Sequence, residues 1–256
     1  MSDHDLIRQA ASIVGNAQMA VAFTGAGIST PSGIPDFRGN DSGLWNSVDP
    51  MEVASLSGFR ANPRAFYDWV KPLARALLEA QPNAAHLALA RLEAMGLLTT
   101  LVTQNIDRLH QQAGSRHVLE IHGHLREATC IHCYYLAPAS DLIKNWLNDH
   151  VLPQCPICGN IMKPNTILFG EQLPAQVFNE ARLAAKQCDV MLVAGSSLEV
   201  FPAADLPLLA LERGAQLLIV NRDPTFLDEW AVAVIRADVA EALPLLADEV
   251  SNVHRA

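Results

Sequence analysis

Residues 20–39 read Ala-Val-Ala-Phe-Thr-Gly-Ala-Gly-Ile-Ser-Thr-Pro-Ser-Gly-Ile-Pro-Asp-Phe-Arg-Gly, from Ala20 to Gly39. A short apolar run enters Gly25 and Gly27, the pattern of a buried strand turning tightly toward a helix. Such a turn brings backbone N–H groups close to a pyrophosphate, as in dinucleotide-binding folds. The third glycine of G-x-G-x-x-G is replaced by Thr30, and no Lys-Ser or Lys-Thr follows to make a mononucleotide phosphate loop. The two glycines alone fit a tight turn in any α/β protein equally well, and it is the long tail over residues 31–39 that favours a ligand.

On either side of this stretch, short apolar runs alternate with longer amphipathic ones, the signature of a parallel sheet covered by helices. Strands are expected at 20–24, 99–103, 118–121, 190–194, 217–220 and 232–236, and helices at 5–16, 63–80, 83–95, 106–112, 174–186, 203–213 and 239–249. Asn83 suits a helix N-cap, and Gly96 and Gly214 stand where helix ends favour a left-handed residue. Two segments interrupt the alternation: 39–62, rich in Asn, Ser, Asp, Pro and Gly and read as a long loop, and 127–164, which holds two cysteine pairs. The fold class is therefore α/β, a parallel sheet covered by helices, with the cysteine-bearing segment 127–164 a separate insert.

The chain has 256 residues, 18 Lys plus Arg against 27 Asp plus Glu for a net charge of −9, and half of it is hydrophobic. That composition excludes disorder as the main state and argues against a broad nucleic-acid surface, which needs clustered Lys and Arg. The polar first residues lack the basic-then-apolar order of a signal peptide, and no apolar run approaches the roughly 20 residues of a membrane span, so a cytoplasmic protein is expected. Cys130-Ile-His-Cys133 and Cys155-Pro-Ile-Cys158 are separated by 21 residues, close to the spacing of four-cysteine zinc sites, which are closed to water and hence structural. His132 competes poorly with four thiolates, and Cys188 reads as core.

Polar residues cluster where strands end. Gln104-Asn105-Ile106-Asp107 follows one strand and His122-Gly123 the next, which offers an amide, a carboxylate and an imidazole at one sheet edge. Gly195-Ser196-Ser197 and Asn221-Arg222-Asp223 follow two later strands. Each residue alone has a structural use as cap, turn or packed side chain, and their convergence is what points to a site. His86, His110, His117 and His124 read most simply as helix or loop residues.

Taken together, Gly-Ala-Gly-Ile-Ser, Gly-Ile-Pro-Asp-Phe-Arg-Gly, residues 103–110, His122-Gly123, the cysteine pairs, Lys163-Pro-Asn-Thr-Ile-Leu-Phe-Gly-Glu171 and residues 195–202 resemble the sirtuin family over essentially the whole chain. The resemblance implies an α/β fold with a Rossmann-like doubly wound parallel sheet as the large domain, over 1–38, 76–126 and 165–256, and a smaller zinc-containing domain over 39–75 and 127–164. It implies an NAD-dependent protein-lysine deacylase, with NAD as co-substrate and a structural Zn2+. It implies that Gly25, Ala26, Gly27, Thr30, Phe37 and Arg38 surround the cofactor's phosphates, ribose and nicotinamide. Gln104, Asn105, Ile106 and Asp107 would form the nicotinamide side, and Gly195, Ser196, Ser197, Asn221, Asp238 and Val239 the adenosine half. Asn105 and Asp107 would hold the carboxamide, and His122 would be the general base. An acyl-lysine peptide would lie as an added strand along Ile167, Leu168, Phe169, Gly170 and Glu171 and along Leu198, Glu199 and Val200.

Leu168 stands where the family often has an aromatic, and Phe201 where it often has tyrosine. The Tyr-x-x-Arg pair of desuccinylating members is absent, since Tyr67 is followed by Asp68, Trp69 and Val70, so neutral acyl groups are expected. The competing expectations are NAD-dependent protein ADP-ribosyl transfer, against which an intact His122 speaks, and a non-enzymatic zinc-ribbon binding module, against which the acidic composition speaks. The expected partners are acyl-lysine proteins or peptides, with no nucleic acid and no membrane, and the chain acting as a monomer.

Overall fold

The computed structural model describes residues 3–36 and 48–253. It contains strands β1 (Ala20–Thr24), β2 (Leu98–Thr103), β3 (Val118–Glu120), β4 (Gly123–Cys130), β5 (Leu136–Pro138), β6 (Met162–Thr166), β7 (Val190–Ala194), β8 (Gln216–Val220) and β9 (Ala233–Ile235). The chain divides into two compact units, one of Met1–Gly33, Gln81–Ile121 and Ala175–Ala256, the other of Ile34–Ala80 and His122–Pro174. The smaller unit thus takes in 34–80 and 122–174, where the sequence suggests 39–75 and 127–164.

The first unit is a six-stranded parallel sheet in the order β3-β2-β1-β7-β8-β9. Every residue of β1 and β7 is buried, and their side chains alternate between two cores. Ala20, Ala22, Leu192 and Val220 pack on the face covered by the helices Asp3–Asn16, Ala84–Ala94 and Val239–Val253. Val21, Phe23, Val193 and Ile219 pack on the other, with Ala181 and Ala185 of the helix Ala175–Gln187 and Ala210 of Asp205–Glu212. A sheet covered on both faces favours apolar residues on both sides of a strand, which is why β1, β7 and β8 read as near-continuous apolar runs. β1 and β7 are the inner pair from which the strand order runs in opposite directions, the switch point where such sheets bind ligands.

The second unit is built on an antiparallel sheet in the order β5-β4-β6. Beside it Phe59, Phe66, Tyr67, Trp146 and Leu168 form a core. The ring centroids of Phe59–Phe66, Phe66–Tyr67 and Tyr67–Trp146 lie 5.2, 5.2 and 5.0 Å apart. Among the described residues no helix is long and apolar enough to cross a membrane.

Two expectations need correction. The stretch read as loop over 39–62 contains the helices Pro50–Val53 and Leu56–Ala61, capped by the side chains of Asp49 and Ser55, while residues 39–47 lie outside the described ones. The helix expected at 106–112 is confined to Leu109–Gln112, because Arg108 is left-handed and the Asp107 carboxylate takes the Leu109 N–H. His86 and His110 lie in helices, as expected, and both are fully buried.

Candidate functional site

At the switch point the turn after β1 and the turn after β7 pass backbone against backbone. Gly27 N–H donates to the Gly195 carbonyl at 2.9 Å, and Gly195 N–H to the Val220 carbonyl at 3.0 Å. Gly195 sits at φ +61, and a Cβ there would stand 2.3 Å from the Ile28 nitrogen. Only glycine satisfies both the left-handed conformation and that approach.

Behind this turn lies a buried polar network. Asp107 is 7% exposed, and its carboxylate accepts from Ser29 Oγ at 2.6 Å and from the Leu109 N–H at 2.9 Å. Asn105 Nδ2 donates to the Gly25 carbonyl at 3.0 Å and to Ser29 Oγ at 3.1 Å. Gln104 Nε2 donates to Ser196 Oγ at 2.9 Å. Thr24 Oγ1 meets Thr103 Oγ1 at 2.9 Å and His110 Nε2 at 3.0 Å. The His110 ring lies 4.8 Å from that of His86, whose Nε2 faces Ser29 Oγ at 3.4 Å.

Burial raises the Asp107 carboxyl above its ordinary value, against the Ser29 and Leu109 hydrogen bonds that favour the anion. Burial also lowers the His86 imidazole to about 4 and holds His110 well below its ordinary value. Both rings are therefore neutral near pH 7. Ser29, His86 and His110 are the members that the sequence reading missed. Ser29 lies inside the quoted turn, whereas a helical histidine carries no periodic signal that separates a buried ring from an exposed one.

The remaining candidates of this unit stand at strand ends. Thr30 Oγ1 donates to the Gly27 carbonyl at 3.1 Å, and Asn221, buried after β8, donates from Nδ2 to the Asp223 carbonyl at 2.8 Å. Asp238 caps the helix Val239–Val253 through the Ala240 N–H at 2.7 Å and pairs with Arg222. Ser197 Oγ donates to Glu199 at 3.3 Å, while Leu198 is buried. Ala26 and Ile106 are half-buried in the turns after β1 and β2, and Val200 is half-buried just before Phe201. Phe37 and Arg38 lie outside the described residues.

In the second unit, His122 is half-buried and its carbonyl accepts from the Ile167 N–H at 2.9 Å. The next residue, Gly123, has φ +76, and a Cβ there would come within 2.0 Å of the Asn165 carbonyl oxygen. His122 therefore sits on a backbone that admits no side chain immediately after it. Leu168 is buried in the aromatic core, whereas Phe169 is 37% exposed and exchanges backbone bonds with Ala54 and Leu56, each at 2.9 Å. Gly170 is left-handed at φ +84 and leads into Glu171.

Cys130, Cys133, Cys155 and Cys158 bring all four Sγ atoms within 4.8 Å of one another. The Cys130–Cys158, Cys133–Cys155 and Cys133–Cys158 separations are 3.5, 3.6 and 3.5 Å. Tetrahedral thiolates about 2.3 Å from a zinc ion lie about 3.8 Å apart, so the cluster fits structural Zn2+. NAD is fitted by the donor set of the first unit: a glycine turn at the switch point, a buried carboxylate able to accept from a carboxamide, and an amide beside it.

The Sir2 family model matches residues 25–202. The chain belongs to the Sir2 family. This sirtuin is 47% identical over 250 residues to NAD-dependent protein deacylase 2 of Archaeoglobus fulgidus, covering 97% of this chain and 98% of that one. It is 44% identical to an NAD-dependent protein deacetylase of Caldivirga maquilingensis, over 96% and 94% of the two chains. Among solved structures, a Sir2 enzyme matches with TM-score 0.93 and 46% identity over 97% of this sirtuin and 99% of that chain. A Sir2 protein with a deacetylated p53 peptide and 3′-O-acetyl-ADP-ribose matches with TM-score 0.90 and 38% identity over 95% and 98%.

Proposed function

We infer that this sirtuin is an NAD-dependent protein-lysine deacylase, which transfers the acyl group from lysine to ADP-ribose to give free lysine, nicotinamide and 2′-O-acyl-ADP-ribose. The observation that carries the reading is the buried Ser29–Asp107–Asn105 set against the glycine turn at the switch point, in a chain nearly half identical to a named deacylase.

When bound, NAD supplies a glycosidic bond whose cleavage passes through a cation-like state, with the acyl oxygen as a weak nucleophile. Orientation must then carry much of the catalysis. In this reading Asp107 accepts from the nicotinamide amide, Asn105 fixes the turn beside it, and Gln104 and Ser196 continue the cofactor wall. Ala26, Thr30, Phe37 and Arg38 contribute on the phosphate and ribose side, and Ser197, Asn221, Asp238 and Val239 on the adenosine side. His122 takes the proton from a ribose hydroxyl, a task that suits an imidazole near neutral pH. The substrate peptide adds along 167–171 of the second unit, and 198–200 are the candidate peptide contacts of the first. In this reading the protein works in the cytoplasm on acyl-lysine proteins, without nucleic acid.

Neutral acyl groups fit best. The Tyr67 hydroxyl donates to the Met162 carbonyl at 2.6 Å within a buried core, and Val70 offers no cation to an acyl carboxylate. The test is mass spectrometry of an acetyl-lysine peptide with and without NAD, beside His122→Ala. Deacetylation that needs both NAD and His122, with acetyl-ADP-ribose formed in step, is expected. ADP-ribosylated protein without free lysine would favour the transferase reading instead.

A further inference from the structure

Glu171 closes the segment that the deacylase reading lays along the peptide, yet its carboxylate is turned toward its own chain. Glu171 Oε2 lies 3.0 Å from Lys163 Nζ and accepts from the Leu168 N–H at 2.8 Å. The Glu171 N–H donates back to the Leu168 carbonyl at 3.0 Å. Lys163 is 8% exposed, and its ammonium also donates to the carbonyls of Pro164 and Thr166, each at 2.8 Å. One largely buried ion pair therefore closes a ring around residues 163–171.

This ring holds more than its own loop. Ile167, enclosed by it, donates to the His122 carbonyl, and Phe169 is fixed on its other edge by Ala54 and Leu56. A purely local staple could be apolar, because a buried ion pair is often no more stabilising than well-packed hydrophobic residues. What the ammonium does that a methylene cannot is hold two carbonyls and a carboxylate at fixed positions along a strand end.

We propose that Lys163 and Glu171 are positioning residues of the deacylase: their ion pair sets the backbone of 166–169 and, through Ile167, that of His122, without either side chain touching the substrate. The assignment rests on the deacylase reading and deepens it, and it moves Glu171 from the peptide contacts to the frame behind them.

The test is steady-state kinetics of wild type, Lys163→Arg, Lys163→Met and Glu171→Gln with an acetyl-lysine peptide and NAD, each protein also assayed for bound zinc and melting. Lys163→Met and Glu171→Gln are expected to raise the peptide KM and to lower kcat/KM for the peptide about 10- to 100-fold, the scale of a small misplacement at a reacting centre. The KM for NAD should stay within about twofold, and Lys163→Arg should recover most of the loss. A fall in kcat alone, in proportion to the fraction folded and with the peptide KM unchanged, would overturn the proposal and leave a folding role. If Lys163→Met loses its zinc, Glu171→Gln decides by the same criteria, since it keeps the size of the side chain and an acceptor for the Leu168 N–H while removing the negative charge. A folded wild type that binds NAD but releases no free lysine would overturn the deacylase reading, and this assignment with it.

Discussion

His86 shows how one side chain can serve a helix cap and a buried network at once. Its Nδ1 accepts from the Asn83 N–H at 3.3 Å, closing a capping box, while its other nitrogen faces Ser29. Because burial lowers its pKa from 6.5 to about 4, the unfolded chain takes up the proton first on acidification. Stability from this residue is thus lost as pH falls through the window from about 6.5 to about 4, on the order of 3 kcal/mol in all. His110, held still lower, acts in the same sense. Asp107, whose pKa is raised, acts in the opposite sense, since the folded chain protonates it first. In His86→Gln the amide oxygen can still accept from Asn83, but nothing titrates. The drop in Tm between pH 7 and pH 4.5 should therefore be smaller for the variant than for wild type. At Tyr67 and Val70 the expected outcome is chemical: a succinyl-lysine peptide should turn over at least about tenfold more slowly than its acetyl counterpart, because an acyl carboxylate would be buried unpaired. Comparable rates measured by mass spectrometry would rule that out.

At the scale of elements, the caps and the zinc knuckles do work that propensity cannot. Asn83 caps the helix Ala84–Ala94 through the Ala85 N–H, and its Nδ2 also donates to the Ile28 carbonyl and Ser32 Oγ, both at 2.9 Å. Asn83→Ala should therefore cost about 1–2 kcal/mol in stability and also raise the KM for NAD, since the same side chain pins the turn after β1. Loss of stability with an unchanged KM for NAD would confine Asn83 to capping. Zinc removal by a chelator should melt the β5-β4-β6 unit, seen as loss of near-UV dichroism from the Tyr67–Trp146 core, and should abolish deacylation. The strands β1, β7 and β8 were legible because a strand buried on both faces leaves a nearly unbroken apolar run. The helices Pro50–Val53 and Leu56–Ala61 were not, because Pro50, Ser55 and Gly58 read as loop residues, whereas here Pro50 occupies a first turn, Ser55 accepts from the Gly58 N–H, and Phe59 is drawn into the aromatic core. The Asn105–Asp107 pair was visible as polar residues after a strand. Its partner Ser29 was not, since only the folded turn brings residue 29 to residue 107.

For the whole molecule the electrostatic balance is the property read most directly from sequence, and it acts on the two substrates with opposite signs. A net charge of −9 produces a long-range field that attracts cationic segments and repels anions. The acylated lysine is itself neutral, so any attraction must come from its neighbours, and NAD carries its pyrophosphate charge into the same field. At physiological ionic strength the screening length is about 8 Å, so the effect fades as salt rises, while hydrogen bonds such as Ser29–Asp107 are little affected. A peptide with lysines beside the acetyl-lysine should thus have a higher kcat/KM at low salt than one with glutamates there, and the two should converge toward about 0.5 M salt. Over the same range the KM for NAD should fall or stay level while that for the lysine-rich peptide rises. If both constants rose together, a general salt effect on the fold would explain the data better than steering, and the melting temperature over the same salt series separates those two cases.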